Sequence, residues 1–291
     1  YTEDLIIKWV KNCIKRTKLK SITLAGGVAM NVKTNLLISK INKKVNLFVP
    51  PSPDDSSQAM GACYAYYLLY KKNEIKKLKP LKDAYLGPSA KISLNIKKKF
   101  KQKKYRIIKK NINQVAAKLL LNNKIIARFC GRAEFGARAL GNRSILASPL
   151  SNSVKIKINE NVKNRDFWMP FAASVLANKS KKYFMLNSDY ESYNYMTNCV
   201  ETTELGKKFL KAAIHPYDKT CRPQIINKNQ NKSYENLIKQ FGDISGVYGL
   251  LNTSFNLHGY PIVNEFDEVS SVFINSNLDG LLLDDCLIIK K

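Results

Sequence analysis

Two short apolar runs, SITLA at 21–25 and VNLFV at 45–49, each lead into a loop of small residues and then into a stretch with helical apolar spacing. That alternation commits the N-terminal part to an α/β arrangement. Buried strands feeding helices bring their loops to one edge of a sheet, where such folds bind ligands. Before the first run, Leu5, Ile6, Val10 and Ile14 share one face of a helix expected over 3–18. The first run ends in Gly26-Gly27 ahead of a helix over 28–41, and the second ends in PPSPDDSS ahead of a helix over 58–72. With 291 residues, 45% of them hydrophobic, two globular domains of roughly 100–200 residues each are expected. The chain enters periodic apolar sequence directly at Tyr1, which reads as a start inside a domain. No apolar run approaches the roughly 20 residues that span a bilayer, and the opening residues are amphipathic rather than leader-like, so no membrane partner and a cytoplasmic location are expected.

Residues 73–104 are rich in Lys, contain Pro80, Gly87 and Pro88, and lack a period. They divide the chain into an N-terminal unit over 1–85, a linker over 86–104 and a second domain over 105–291. The run KKKFKQKK reads as a solvated connector. The second domain opens with the helix INQVAAKLLLNN and the strand KIIARFC. A Gly/Arg-rich loop, a helix near 151–163, strand-like pieces at 171–177 and 246–251, and a closing strand over 280–289 follow.

The net charge of +27 would ordinarily suggest nucleic acid. Yet only eight of the 49 basic residues are arginines, and the lysines are scattered among Ile and Asn, as in a solvated surface. The arginines are therefore the informative positions, because a guanidinium grips phosphate or carboxylate in a planar fork that Lys does not reproduce. Five of the eight lie between 132 and 222. The six cysteines are far apart with no CxxC pair, which suits reduced thiols, and the two histidines, His215 and His258, cannot make a metal site by themselves.

Four stretches carry candidate chemistry. Gly131–Ser144 places Arg132, Arg138 and Arg143 among three glycines directly after a strand; a polyanion would relieve their mutual repulsion, and an exposed loop with Glu134 paired to one arginine is the plainer alternative. Lys163 and Arg165 reach one phosphate together only if the backbone there is extended. Arg222 sits in a proline-bounded loop. Asn252, Ser254 and Asn256, after the apolar run VYGLL, offer amide and hydroxyl groups suited to phosphate oxygens or a carbonyl, or to a turn.

Taken together, GRAEFGARALGNRSILASP, the Lys163–Arg165 segment, the Arg222 loop, NTSFNLHGYPIV and LDGLLL resemble, in the same order, the C-terminal domain of O-carbamoyltransferases of the nodulation and antibiotic-tailoring type. That domain is similar to the YrdC-like adenylate synthases, whose Lys-x-Arg and Ser-x-Asn signatures are echoed by Lys163–Arg165 and Ser254–Asn256. LAGGVAMN at 24–31 and PPSPDDSSQAMGA at 50–62 resemble the second half of the family's Kae1-like domain, an actin/Hsp70-type fold. The resemblance implies α/β architecture throughout: a partial Kae1-like half-domain followed by a YrdC-like α+β domain with a twisted sheet. It implies that carbamoyl phosphate and ATP, with Mg²⁺, give carbamoyl adenylate, and that the carbamoyl group passes to an acceptor hydroxyl. Lys163, Arg165 and Arg222 would be catalytic, and Arg132, Arg138, Arg143, Asn252, Ser254 and Asn256 would bind substrate. Gly26 and Gly27 would approach a nucleotide, and Asp55, with Asp54 as the neighbouring alternative, would ligate a metal, typically iron.

Three departures qualify the match. Ala137 stands where the family often has Pro, and Trp168-Met169-Pro170 replaces a common Phe-Arg-Pro, removing one cation. The first half of the Kae1-like domain, with its paired metal-binding histidines, is absent, so a chain or segment carrying that half is an expected partner. The alternatives are a threonylcarbamoyl-adenylate synthase of tRNA modification, a non-catalytic subunit of a split carbamoyltransferase, and a basic nucleic-acid-binding module, the last disfavoured by the scattered lysines.

Overall fold

The computed structural model describes all residues except 43, 91–95, 102, 165, 167–168 and 187–192, and the side chains of 97, 98 and 161. Helix α1 (Thr2–Thr17) carries Glu3 and Asp4 in its first turn and Lys15 and Arg16 in its last, matching the helix dipole, and stops at Lys18 with φ 62°. Strand β1 (Ser21–Thr23) pairs in parallel with β2 (Asn46–Phe48). Between them the expected helix over 28–41 divides: Gly27–Met30 forms a 3₁₀ turn and α2 (Val32–Ser39) starts afresh, because Asn31 accepts from the Lys33 and Thr34 N–H groups as an N-cap. Helix α3 (Gln58–Tyr70) follows the Pro/Ser/Asp loop and buries none of its residues. Val10, Leu24, Ile38, Leu47 and Val49 form the core of this unit.

The remainder is a mixed α/β unit. In chain order it contains α4 (Ile96–Lys99), β3 (Tyr105–Ile108), α5 (Ile112–Leu121), β4 (Ile126–Phe129), β5 (Arg143–Ala147), α6 (Asn152–Ile158), β6 (Ala172–Leu176), α7 (Ala177–Ser180), β7 (Phe184–Met185), β8 (Val200–Thr202), α8 (Glu204–Phe209), β9 (Thr220–Cys221), β10 (Pro223–Ile226), α9 (Lys232–Ser245), β11 (Gly249–Ser254), α10 (Phe266–Asn275), β12 (Gly280–Leu282) and β13 (Leu287–Lys290). Eight strands form one sheet in the order β10-β6-β11-β5-β4-β12-β13-β3, parallel only at β10/β6 and β12/β4. The closing strand expected over 280–289 is the antiparallel hairpin β12/β13. Helices α5 and α9 pack together, with α9 against β6 and β11. On α9, Tyr234, Leu237, Ile238 and Phe241 are buried, at spacings of three and four that put them on one face.

The stretch expected as a linker is bound to this unit. Residues 84–90 run antiparallel to 131–135 through Gly87 N–H to Ala133 O (2.9 Å), Ala90 N–H to Gly131 O (2.7 Å) and Phe135 N–H to Ala84 O (2.6 Å). The Lys-rich run that follows is anchored rather than merely solvated. Phe100 in its middle is fully buried against Tyr105, Phe266 and Phe273.

The N-terminal unit docks on the segment around β8 and β9. Asn35 is buried and donates to both Ala29 O and Thr197 O at 2.8 Å, Thr197 Oγ1 donates to Val49 O at 3.0 Å, and Phe48 meets Tyr195 edge to face. Lys40 pairs with Glu201 at 2.6 Å, and Lys33 with Asp218. Burial opposes the charge on Asp218, but hydrogen bonds from Lys33 and Thr220 outweigh it and hold the carboxyl well below its usual range. The same bond raises Lys33. A depressed acid stabilises the fold above its unfolded pKa and loses that contribution as pH falls through the folded value; a raised base contributes below its unfolded pKa and loses it as pH rises past the folded one. The stability difference between wild type and Lys33→Met should therefore be constant from about pH 5 to 10, within about 1 kcal/mol as for partly exposed pairs, and shrink on either side. Urea unfolding of the two proteins at pH 3, 7 and 11 checks this, and a difference that does not vary with pH would contradict it.

Candidate active site

Four chain segments meet at one end of the eight-stranded sheet. Register puts them there: Ser254 at the end of β11 pairs with Ser144 at the start of β5, Asn252 pairs with Ala172 at the start of β6, and Ala173 pairs with Pro223 at the start of β10. The Gly/Arg loop before β5, the Lys163 segment before β6, Arg222 before β10 and the turn after β11 thus share one edge.

Lys163 reaches that edge because α6 runs on into a wider π turn over Asn159–Lys163, stopped by Asn164 in the left-handed region at φ 43°. Lys163 therefore lies in a helical turn rather than in extended chain, and Arg165, expected to act beside it, falls outside the described residues. The Lys163 ammonium is buried and donates to Ser254 O (2.6 Å) and Oγ (3.2 Å) and to Asn256 O (2.9 Å) and Oδ1 (2.5 Å). Ser254 Oγ in turn donates to Asn256 Oδ1 at 2.6 Å. Asn252, two residues earlier on the same strand face, donates to Ala139 O (3.2 Å) and Ser174 Oγ (3.0 Å); Ser174 donates to Gln224 Oε1 (2.6 Å), and Gln224 to Leu140 O (2.8 Å). This polar row across β11, β6 and β10 fastens the Ala139–Leu140 backbone over the strand ends.

The arginines of the loop divide by environment. Arg132 donates through Nε to Gly87 O (2.9 Å) and through a terminal nitrogen to Leu86 O (2.5 Å), fastening the 84–90 segment. Arg143 is fully buried over the Phe129 ring, 4.1 Å from its centroid, and donates to the carbonyls of Cys130, Asn142, Pro88 and Gly131. Both guanidinia thus hold backbone at this edge. Arg138 differs: half-buried, it has no hydrogen-bond partner or carboxylate among the described residues, and burial pushes its guanidinium downward while its very high intrinsic value keeps it charged. Arg222 is half-buried beside the first residue of β10. Glu134 makes no close ion pair with an arginine among the described residues, although its charge acts on Arg143; its Oε1 accepts from the N–H groups of Leu140 (2.7 Å), Asn142 (2.7 Å) and Arg143 (3.2 Å). Sequence reasoning missed Arg128, fully buried in β4, which donates to Gly141 O (2.7 Å) and Asn142 Oδ1 (2.6 Å) and lies over the Tyr234 ring. Its signal was a lone arginine inside the apolar strand IIARFC.

The N-terminal candidates lie apart from this cluster. Gly26, at φ 105°, donates to Pro53 O at 2.5 Å, and a Cβ on either Gly26 or Gly27 would meet nothing within 4 Å, so the backbone is open to close approach. Hydrogen bonds from Ser56 and Ser52 occupy Asp54 and lower its pKa, whereas Asp55 is exposed. Among the described residues no group of three His, Cys, Asp or Glu side chains could hold a metal, so the expected iron site would have to draw its other ligands from elsewhere. Next to the glycines, a cavity of about 740 Å³ lies between the two units, bounded by Ala25, Phe48, Tyr64 and Met60 on one side and Tyr195 and Gln230 on the other. Burial pushes the Cys130 and Cys286 thiols up to about 12, which leaves them poor nucleophiles.

Gly141 shows how tightly the loop is seated. Its φ is 115°, and a Cβ there would lie 2.3 Å from the Tyr234 ring. Gly141→Ala should lower stability by about 2 kcal/mol or more, whereas Gly61→Ala, with open space around it on α3, should change it by less than about 1 kcal/mol. Equal urea midpoints for the two variants would contradict this packing.

Comparison with known proteins gives the following. Residues 117–290 match the family model described as carbamoyltransferase C-terminus, and residues 1–64 the one described as carbamoyltransferase N-terminus. An uncharacterized protein of Methanocaldococcus jannaschii is 36% identical over 99% of this chain and 54% of its own length. The nodulation protein NolNO of Sinorhizobium fredii is 32% identical over 99% of this chain and 42% of its own length. The chain spans about half the length of the curated relatives it matches. A crystal structure of full-length HypF in the phosphate- and nucleotide-bound form aligns over 62% of this chain and 22% of that one, at a TM-score of 0.42 and 17% identity, a likeness too remote to place residues. Among the described residues, no helix is long and apolar enough to cross a membrane.

Proposed function

The chain belongs to the carbamoyltransferase family, and we propose that its sheet-end cluster makes carbamoyl adenylate from carbamoyl phosphate and ATP. In this reading carbamoyl phosphate gives up inorganic phosphate to water. The freed carbamate oxygen attacks the α-phosphorus of ATP, and the bond from that phosphorus to the bridging oxygen breaks, releasing pyrophosphate. An acceptor hydroxyl then attacks the carbamoyl carbon and expels AMP, its proton passing to solvent or to a base.

The observation that carries the proposal is the gathering of basic side chains from separate segments at one sheet edge. Lys163 is buried with its ammonium on the Ser254 and Asn256 oxygens, Arg138 is half-buried with no hydrogen-bond partner among the described residues, and Arg222 enters the same edge just before β10. Preorganised cations of this kind stabilise the charge concentrated at phosphorus in the transition state more than they stabilise bound substrate. Lys163, Arg165 and Arg222 act on the phosphoryl and carbamoyl groups in this reading, with Arg138, Asn252, Ser254 and Asn256 orienting them. Arg132 and Arg143, with their donors on carbonyls, support the loop. Mg²⁺ accompanies the ATP phosphates. The cavity between the units, beside Gly26 and Gly27, is where the acceptor meets the adenylate.

The chain from 1 to 85 works as half of a larger domain in this reading, and 105–291 as the adenylate-forming domain, with 86–104 joining them. The support lies in exposed apolar surface. Tyr64, Tyr66, Leu68, Leu69 and Tyr70 of α3 and Trp9 of α1 face outward, and β1 pairs only with β2 among the described residues. A segment supplying the first half of the domain, in the same chain or a separate one, would cover them.

Pyrophosphate release from ATP should require carbamoyl phosphate and should not be supported by threonine plus bicarbonate. Lys163→Ala and Arg222→Ala should each lower the rate by about 10²-fold or more. Near-wild-type rates in both folded variants would sink the assignment, and release with threonine and bicarbonate would favour the tRNA-modification reading.

A further inference from the structure

Glu134 sits four residues before Arg138 in a loop rich in arginine, where a carboxylate would ordinarily neutralise a guanidinium. The fold instead turns one of its oxygens to the backbone, and of the loop's guanidinia its charge acts on Arg143. One oxygen, Oε1, receives three amide N–H groups, from Leu140 and Asn142 at 2.7 Å and from Arg143 at 3.2 Å, so the backbone entering β5 wraps the carboxylate as a ring of donors. Successive N–H groups turned toward one point form a strong anion seat, and hydrogen bonds to a charged acceptor are about twice as strong as neutral ones. Those same residues carry the opposite face of the loop: Leu140 O accepts from Gln224 (2.8 Å) and Tyr85 (2.9 Å), and Gly141 O from Arg128 (2.7 Å). The segment is thus held by a carboxylate at its N–H groups and by the buried donors Gln224 and Arg128, with Tyr85, at its carbonyls, and Arg138 lies two residues before Leu140.

We propose that Glu134 is a positioning residue: its carboxylate, seated on the Leu140, Asn142 and Arg143 N–H groups, fixes the loop that carries Arg138 and stays unavailable to that guanidinium, leaving Arg138 to bind an anionic substrate group. The substrate part rests on the adenylate-forming reading above. The seat itself does not, because the three hydrogen bonds exist without substrate. Glu134 touches no substrate and acts only through the loop. Shortening or removing its side chain frees three N–H groups and lets the Arg138 backbone drift, and a displacement on the order of 1 Å at a transition-state donor costs about 10²-fold in rate.

The experiment pairs two readouts on the full chain, for wild type and for Glu134→Ala, Glu134→Gln and Glu134→Asp. Amide hydrogen exchange reports the seat. In Glu134→Ala, exchange at Leu140, Asn142 and Arg143 should accelerate at least tenfold while β4 and β12 keep wild-type protection, and Glu134→Gln, which retains an acceptor oxygen without the charge, should fall between. Steady-state pyrophosphate release reports the consequence. In Glu134→Ala, kcat should fall about 10²-fold with the KM for ATP changed less than threefold, and Glu134→Gln should recover at least a tenth of the wild-type kcat. Should Glu134→Ala fail to fold, the Gln and Asp variants carry both comparisons. Unchanged exchange at the three amides would overturn the seat, and accelerated exchange with unchanged kcat would overturn the link to Arg138. A wild-type chain inactive with carbamoyl phosphate and ATP, but showing the expected exchange pattern, would overturn the adenylate-forming reading and leave the seat standing.

Discussion

The sheet edge depends on burying cations among the oxygens of the backbone and of neutral side chains. Lys163, Arg128 and Arg143 are all nearly inaccessible, and each donates to carbonyl or amide oxygens, with a hydroxyl oxygen added at Lys163. A buried charge in contact with neutral dipoles alone is expensive unless several dipoles converge on it. The convergence here comes from the protein backbone, which is why three segments far apart in sequence must be closed at once: 128–143, 159–163 and 252–256. The result is a set of basic side chains gathered at one edge of the sheet.

The same loop ties the two units together. Gly136, at φ 111°, passes so close to Pro51 that a Cβ would fall 2.3 Å from the Pro51 carbonyl oxygen. The 84–90 segment lies along 131–135 on another side, pinned by Arg132. The N-terminal unit, the segment that joins it to the sheet and the arginine loop therefore meet at one place.

Much of this was legible from local pattern. The α/β alternation of the first 70 residues, the helices expected at 112–123 and near 151–163 and the strand pieces at 171–177 and 246–251 follow from apolar period and turn chemistry, and the observed elements overlap them at 112–121, 152–158, 172–176 and 249–254. The grouping of Lys163 with Ser254 and Asn256 was suggested only by signature spacing, because the two stretches lie some 90 residues apart and no local rule brings them together. What could not be read was which arginine is structural. Arg132, Arg138 and Arg143 occupy equivalent-looking places in a twelve-residue loop, yet two of them meet carbonyls and one does not. Phe100 was likewise hidden: a single aromatic in a lysine run reads as solvated until α10 and β3 arrive to cover it.

By itself, then, the sequence determined the alternation of elements and the scarcity of arginine that singles out the 132–222 region, since these depend on residue type and near-neighbour spacing alone. The tertiary structure decided which segments meet at one end of the sheet, that Lys163 is held by the end of β11 and the turn after it, and that Glu134 seats three amides rather than forming a close ion pair. Those outcomes are set by strand register and by the need to satisfy buried polar groups, and both are properties of the closed chain rather than of any stretch of it.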